Sequence, residues 1–188
     1  MNKQNGSPYL LSKAIFFDRD GVVNHAKIFK GKPFPPKNVN ELKFHKGIIS
    51  FSKYLKAKNF KTFIITNQPD ISRKKILKKD VENIHKKILS KLYIDEIKIC
   101  FHDNVDNCSC RKPKIGMITT LKKRYKLNLK KSFVIGDRWR DIECGFRAGC
   151  KSIFIDRQYN ERISKNYDYK FKSIQQLAKN FYEKKIKH

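Results

Sequence analysis

Short apolar runs alternate along this chain with stretches in which apolar residues recur every three or four positions. Residues 14–17 read Ala-Ile-Phe-Phe, a run of strand length that stops at Asp18. After a Pro-rich loop at 32–36, Ile48, Phe51 and Leu55 share one face of a helix predicted over 47–58. Residues 61–66 predict a second strand, ending in Asn67-Gln68-Pro69. A helix over 80–92 follows, with Val81, Ile84, Ile88 and Leu92 on one side. The strand at 97–100 enters a segment dense in Cys and His. A helix at 115–126, a strand at 132–135, a short helix at 141–148 and a strand at 152–155 continue the alternation. A last helix over 173–185 turns Ile174, Leu177 and Phe181 to the core.

Strands separated by helices of this length predict βαβ units, hence an α/β, Rossmann-like fold with a mostly parallel sheet and helices on both faces. No internal repeat or boundary interrupts the pattern, so residues 1–188 are expected to form a single domain. Polar residues gather just after the strands: Asp18, Thr66, the Cys segment and Asp137. In open parallel sheets the ligand crevice lies beyond the carboxyl ends of the strands, which predicts one site built from these four segments.

Composition narrows the class. Hydrophobic residues at 39% and aromatics at 12% suffice for a core and exclude a disordered chain. No apolar run approaches the ~20 residues of a membrane span, and residues 1–13 lack the apolar centre of a signal peptide. The expectation is a soluble cytoplasmic monomer with no membrane partner. Lys and Arg number 44 against 17 Asp and Glu, a net charge of +27, which favours anionic partners without specifying a fold. The basic residues are dispersed, as at Arg73-Lys74-Lys75, Lys86-Lys87 and Lys122-Lys123-Arg124. None interleaves with aromatics as a base-stacking platform would, which disfavours nucleic acid as the partner while leaving it open.

The densest chemistry follows the first strand. In Asp18-Arg19-Asp20-Gly21 the two acids are two apart on extended chain, so they face the same way and Arg19 faces elsewhere. Neighbouring carboxylates repel, and a hard cation such as Mg²⁺ with substrate phosphate resolves that repulsion. Alone, the pair also fits an Asp-rich turn. Thr66-Asn67-Gln68 adds a hydroxyl and amides for phosphate oxygens, Arg111-Lys112-Pro113 fixed positive charge, and Gly136-Asp137…Asp141 a third carboxylate.

Together these four segments resemble the motifs of the haloacid dehalogenase superfamily of phosphatases, over about residues 14–156. The resemblance implies that Asp18 attacks phosphorus and that Asp20 acts as general acid and then base. It implies Mg²⁺ on Asp18, the Asp20 main-chain carbonyl and Asp137, with Asp141 in support. Thr66, Asn67, Gln68, Arg111, Lys112 and Arg138 would bind phosphate and substrate. Within the superfamily the chain is similar to the branch of heptose bisphosphate and histidinol-phosphate phosphatases, so a small phosphorylated metabolite is the expected substrate. A sugar bisphosphate is preferred, with histidinol phosphate as its nearest alternative and nucleic-acid ends as an alternative of another class. No long insertion follows Asp20 or the second strand, so no separate cap domain is expected.

Cys100-x-His102 and Cys108-x-Cys110 supply four ligands within eleven positions, a set that Zn²⁺ takes tetrahedrally. The alternative is core cysteines beside an exposed His, but the intervening 103–107 segment is too polar for a core. Four protein ligands leave no open position, so this zinc would be structural and would pin the loop that runs into Arg111 and Lys112. Cys144 and Cys150 lie outside the set and read as buried small residues.

Overall fold

The computed structural model describes residues 11–186, so most of the 1–13 segment read above lies outside the described residues. Its centre is β1 (Ala14–Phe17), all four residues of which are buried. Alternation across the strand sends Ile15 and Phe17 into one hydrophobic layer and Ala14 and Phe16 into the other. β2 (Lys27–Phe29) and β3 (Lys32–Phe34) form an antiparallel hairpin where the sequence predicts only a Pro-rich loop. Its apolar residues Ile28, Phe29 and Phe34 are exposed and so give no core-facing pattern.

The remaining elements build the sheet and its covering layers. They are α1 (Ile48–Ala57), β4 (Lys61–Asn67), α2 (Lys78–Leu89), β5 (Glu96–Cys100) and α3 (Gly116–Tyr125). Then come β6 (Phe133–Gly136), α4 (Trp139–Ala148), β7 (Lys151–Ile155), β8 (Tyr169–Phe171) and α5 (Ile174–Tyr182). Six strands pair in the order β5-β4-β1-β6-β7-β8, every pair parallel. β8 extends the predicted sheet by one short edge strand.

Helices cover both faces, as the alternation predicts. α1, α2 and α5 contribute Phe51, Ile84, Ile88 and Phe181 to the larger core. α3 and α4 contribute Met117, Ile118, Leu121 and Cys144 to the smaller. Cys144 and Cys150 are buried there as small side chains. The chain runs outward from β1 through β4 to β5, then returns to β6 on the other side of β1. That reversal opens a crevice at the carboxyl ends of β1 and its neighbours. Among the described residues no helix is long and apolar enough to cross a membrane, and no inserted cap stands between the elements named.

Candidate active site

Three carboxylates meet at the end of β1. Asp18, Asp137 and Asp141 are all buried, and one oxygen of each lies within 4.8 Å of the others. β1 delivers Asp18, whose amide donates to the Ile135 carbonyl at 2.8 Å. β6 ends at Gly136 and delivers Asp137, while the first turn of α4 carries Asp141. Two glycines permit this approach. A Cβ on Gly136 would lie 2.0 Å from that of Asp141, and one on Gly21, at φ +95°, 1.7 Å from Asp137 Oδ2.

Lys112 partly balances the three acids. Its buried ammonium pairs with Asp18 Oδ1 at 2.7 Å and Asp141 Oδ1 at 2.6 Å, and donates to the Ile65 carbonyl at 2.7 Å. Burial pulls its pKa down, but Asp141 and Asp18 outweigh this and hold it above its ordinary value. Burial pushes Asp18 up to about 6 against the pull of Lys112, with Asp141 and Asp20 pushing the same way. Asp137 is raised well above the carboxylate range by burial and by Asp18 and Asp141. Its Oδ1 is buried and accepts no hydrogen bond, while its Oδ2 accepts one from the Tyr159 hydroxyl at 2.7 Å. Surplus buried carboxylate with an orphaned oxygen fits a hard divalent cation.

Asp20 stands apart from this group. Its carboxylate pairs with Arg19 at 2.9 Å and accepts from Asn24 Nδ2 at 3.0 Å and Gln68 Nε2 at 2.8 Å. Arg19 is fully buried and turns the opposite way to Asp18, placing Nη1 2.9 Å from His85 Nε2 on α2. Gln68 also donates to Thr66 Oγ1 at 2.8 Å, which leaves the threonine proton free to point elsewhere. Asn67 exchanges two 3.1 Å hydrogen bonds with the main chain of Lys112, so its side chain positions that lysine.

Cys100, His102, Cys108 and Cys110 converge as a second group of four. Their sulfur–sulfur separations are 3.6 and 3.4 Å, and the sulfurs of Cys100 and Cys110 lie 3.7 and 3.3 Å from His102 Nδ1. A tetrahedral zinc with ~2.3 Å bonds to sulfur spaces its ligands at about 3.8 Å, so the donors fit. The loop is tied to the end of β4 at one end and braced across itself by Arg111. The Gln68 amide donates to the Cys100 carbonyl at 2.7 Å, and Arg111 donates to the His102 carbonyl at 3.0 Å and Asn104 Oδ1 at 2.8 Å.

A cleft of about 160 Å³ opens above Asp18 and Asp20. Thr66, Asn67, Gln68, Arg111 and Arg138 line it. Pro33, Phe34 and Pro35 of the hairpin form another wall. Lys112 lies beneath, on Asp18, rather than on the wall. The structure adds Arg73 and Arg140 to the lining, and Tyr159 behind it. These residues belong to segments that look like ordinary polar loop or helix surface, and no sequence signal marks them.

The profile of the family described as polynucleotide kinase 3 phosphatase matches residues 13–182. The chain belongs to this family. Like the haloacid dehalogenase phosphatases it resembles, it is a phosphatase. Two curated relatives are matched over most of their own length. One is the D-glycero-alpha-D-manno-heptose-1,7-bisphosphate 7-phosphatase of Campylobacter jejuni, 31% identical over 93% of this phosphatase and 99% of that protein. Another is the D-glycero-beta-D-manno-heptose-1,7-bisphosphate 7-phosphatase of Helicobacter pylori, 33% identical over 77% and 83%. The histidine biosynthesis bifunctional protein HisB of Buchnera aphidicola is 35% identical over 81% of this phosphatase but only 42% of its own length. Among solved structures, a B. bronchiseptica D,D-heptose 1,7-bisphosphate phosphatase complexed with magnesium and phosphate superposes with a TM-score of 0.77. It covers 92% of this phosphatase and 99% of that chain, at 23% identity. That likeness shows the α/β fold of the phosphatase.

Proposed function

We propose that this phosphatase uses Asp18 to remove the 7-phosphate of D-glycero-D-manno-heptose 1,7-bisphosphate, with Mg²⁺ as cofactor. The observation that carries the reading is the Asp18 carboxylate, buried at the cleft floor, held by Lys112 and facing Asp137 and Asp141. The names of the full-length curated relatives support the choice of sugar.

Asp18 attacks phosphorus, forming the bond from its free carboxylate oxygen as the bond to the ester oxygen breaks. Asp20 gives the leaving alkoxide its proton, then takes one from the water that hydrolyses the aspartyl-phosphate. Thr66 donates its free hydroxyl proton to a transferring oxygen, and Lys112 neutralises charge beside it. Asp18, Asp137 and the Asp20 main-chain carbonyl would hold Mg²⁺ with Asp141 in support, and the ion would screen the attacking carboxylate from the phosphoryl oxygens. Cys100, His102, Cys108 and Cys110 would hold a structural Zn²⁺ that fixes Arg111 and Lys112 in place.

The +27 charge and the family's description favour a second reading, removal of phosphate from nucleic-acid ends. Phosphate release with Mg²⁺ is to be compared on the heptose bisphosphate, histidinol phosphate and a 3′-phosphorylated oligonucleotide. The heptose compound is expected to give the highest kcat/KM, and a higher value on either rival transfers the assignment to it. Asp18→Asn should lower turnover at least about a thousandfold on every substrate while circular dichroism stays unchanged.

A further inference from the structure

Four arginines rim the cleft, and three are already engaged. Arg73 holds Asp103 through two nitrogens, at 2.5 and 2.6 Å, and also reaches Asp70. Arg138 forks onto Glu161 at 2.6–3.1 Å. Arg111 is spent on Asn104 and the His102 carbonyl. Arg140, half-buried, has no hydrogen-bond or ion-pair partner among the described residues, and its guanidinium rests only on the Trp139 ring, 4.9 Å from its centre.

Arg140 and Arg111 also line a second hollow of about 350 Å³, with Lys112, Lys114 and Arg147 on its walls. The two arginines thus form a ridge between the reaction cleft and a basic recess. A ligand whose reacting phosphate sits on Asp18 and that carries a second anionic group would extend over this ridge. An unpaired, partly desolvated guanidinium there gains more from an anion than an exposed one does, and its fork suits a phosphate.

We propose that Arg140 is the receptor for the second phosphate of a small bisphosphate, and so sets a preference for substrates with two anionic groups. The sequence places Arg111 and Arg138 among the expected phosphate- and substrate-binding residues, but their donors are largely committed. The inference deepens the heptose bisphosphate reading and rests on it only for the identity of the sugar.

The test measures kcat/KM on matched pairs, a sugar bisphosphate and the same sugar bearing only the hydrolysed phosphate. Heptose 1,7-bisphosphate against heptose 7-phosphate is one pair and fructose 1,6-bisphosphate against fructose 6-phosphate a second. Wild type should favour the bisphosphate in at least one pair. Arg140→Ala should lower that preference about tenfold or more, mainly through KM, and Arg140→Lys should recover part of it. A preference that survives Arg140→Ala overturns the proposal, as does a wild type without preference in either pair. So does an Arg140→Ala defect seen only with a 3′-phosphorylated oligonucleotide. Failure of the heptose pair with success of the fructose pair would sink the sugar assignment and leave Arg140 in its role.

Discussion

At the scale of single residues, the site depends on atoms that barely fit. Gly21 combines a positive φ with the closest approach to Asp137, so Gly21→Ala should displace that carboxylate and lower kcat/KM about a hundredfold. Steady-state kinetics checks this, with circular dichroism as the control for folding. Asp18 yields a pH prediction. Its pKa in the metal-free fold is about 6, above the value near 3.8 of an unfolded chain, so native Asp18 binds its proton more tightly. Metal-free stability therefore falls as pH rises through that window, and an added cation offsets the loss only where Asp18 is ionised. Mg²⁺ should raise Tm more at pH 7.5 than at pH 5, measured by thermal melts. Asp18, Asp20 and Asp137 were legible because a carboxylate straight after an apolar strand run stands out. Tyr159 and Arg140 were not, because a loop tyrosine and a first-turn helix arginine look like surface until the fold brings them to the cleft.

At the scale of elements, loops hold the chemistry in register. The Cys/His loop after β5 leads directly into Lys112, and Asn67 at the end of β4 grips that lysine's main chain. Cys108→Ser should release zinc, lower Tm by several degrees and reduce turnover through a misplaced Lys112; metal analysis alongside kinetics reads all three. The loop between β7 and β8 is the less visible support. Tyr159 fixes Asp137, Glu161 engages Arg138 and the Asn160 amide donates to the Gly31 carbonyl of the hairpin at 2.9 Å. Tyr159→Phe should raise the Mg²⁺ concentration for half-maximal activity about tenfold, a titration that a purely structural tyrosine would not shift. The buried strands β1, β4, β6 and β7 were readable as apolar runs. The β2–β3 hairpin was not, since Pro33 and outward-facing Ile28 and Phe29 carry no alternation toward a core.

At the scale of the whole molecule, charge and buried histidines set the conditions of stability. A net +27 repels itself, so moderate salt should raise Tm as screening sets in, a trend that melts across a salt series would show. Burial pulls His45 and His85 down to about 3, with Arg157 beside the first and Arg19 beside the second. An unfolded chain binds these protons near pH 6.5, so stability falls as pH drops below that value. Each group adds a slope of up to about 1.4 kcal/mol per pH unit, less for the more exposed His45. With Mg²⁺ saturating, so that the opposing gain from Asp18 protonation is suppressed, urea unfolding at pH 7 and pH 5 should show the drop, and His85→Gln should flatten it. The α/β class was readable from the rhythm of runs and amphipathic stretches, whereas the edge strand β8 is too short to announce itself. One residue joins all three scales. Asp141 accepts the Arg138 amide at the start of α4, pairs with Lys112 and stands beside Asp18 and Asp137. A descendant released from hydrolysing anything would lose its reason to keep Asp18 as a nucleophile, yet would still use Asp141 to cap α4 and pair Lys112. Among such inert offspring, the surviving aspartate would testify to architecture, and only the missing one to lost chemistry.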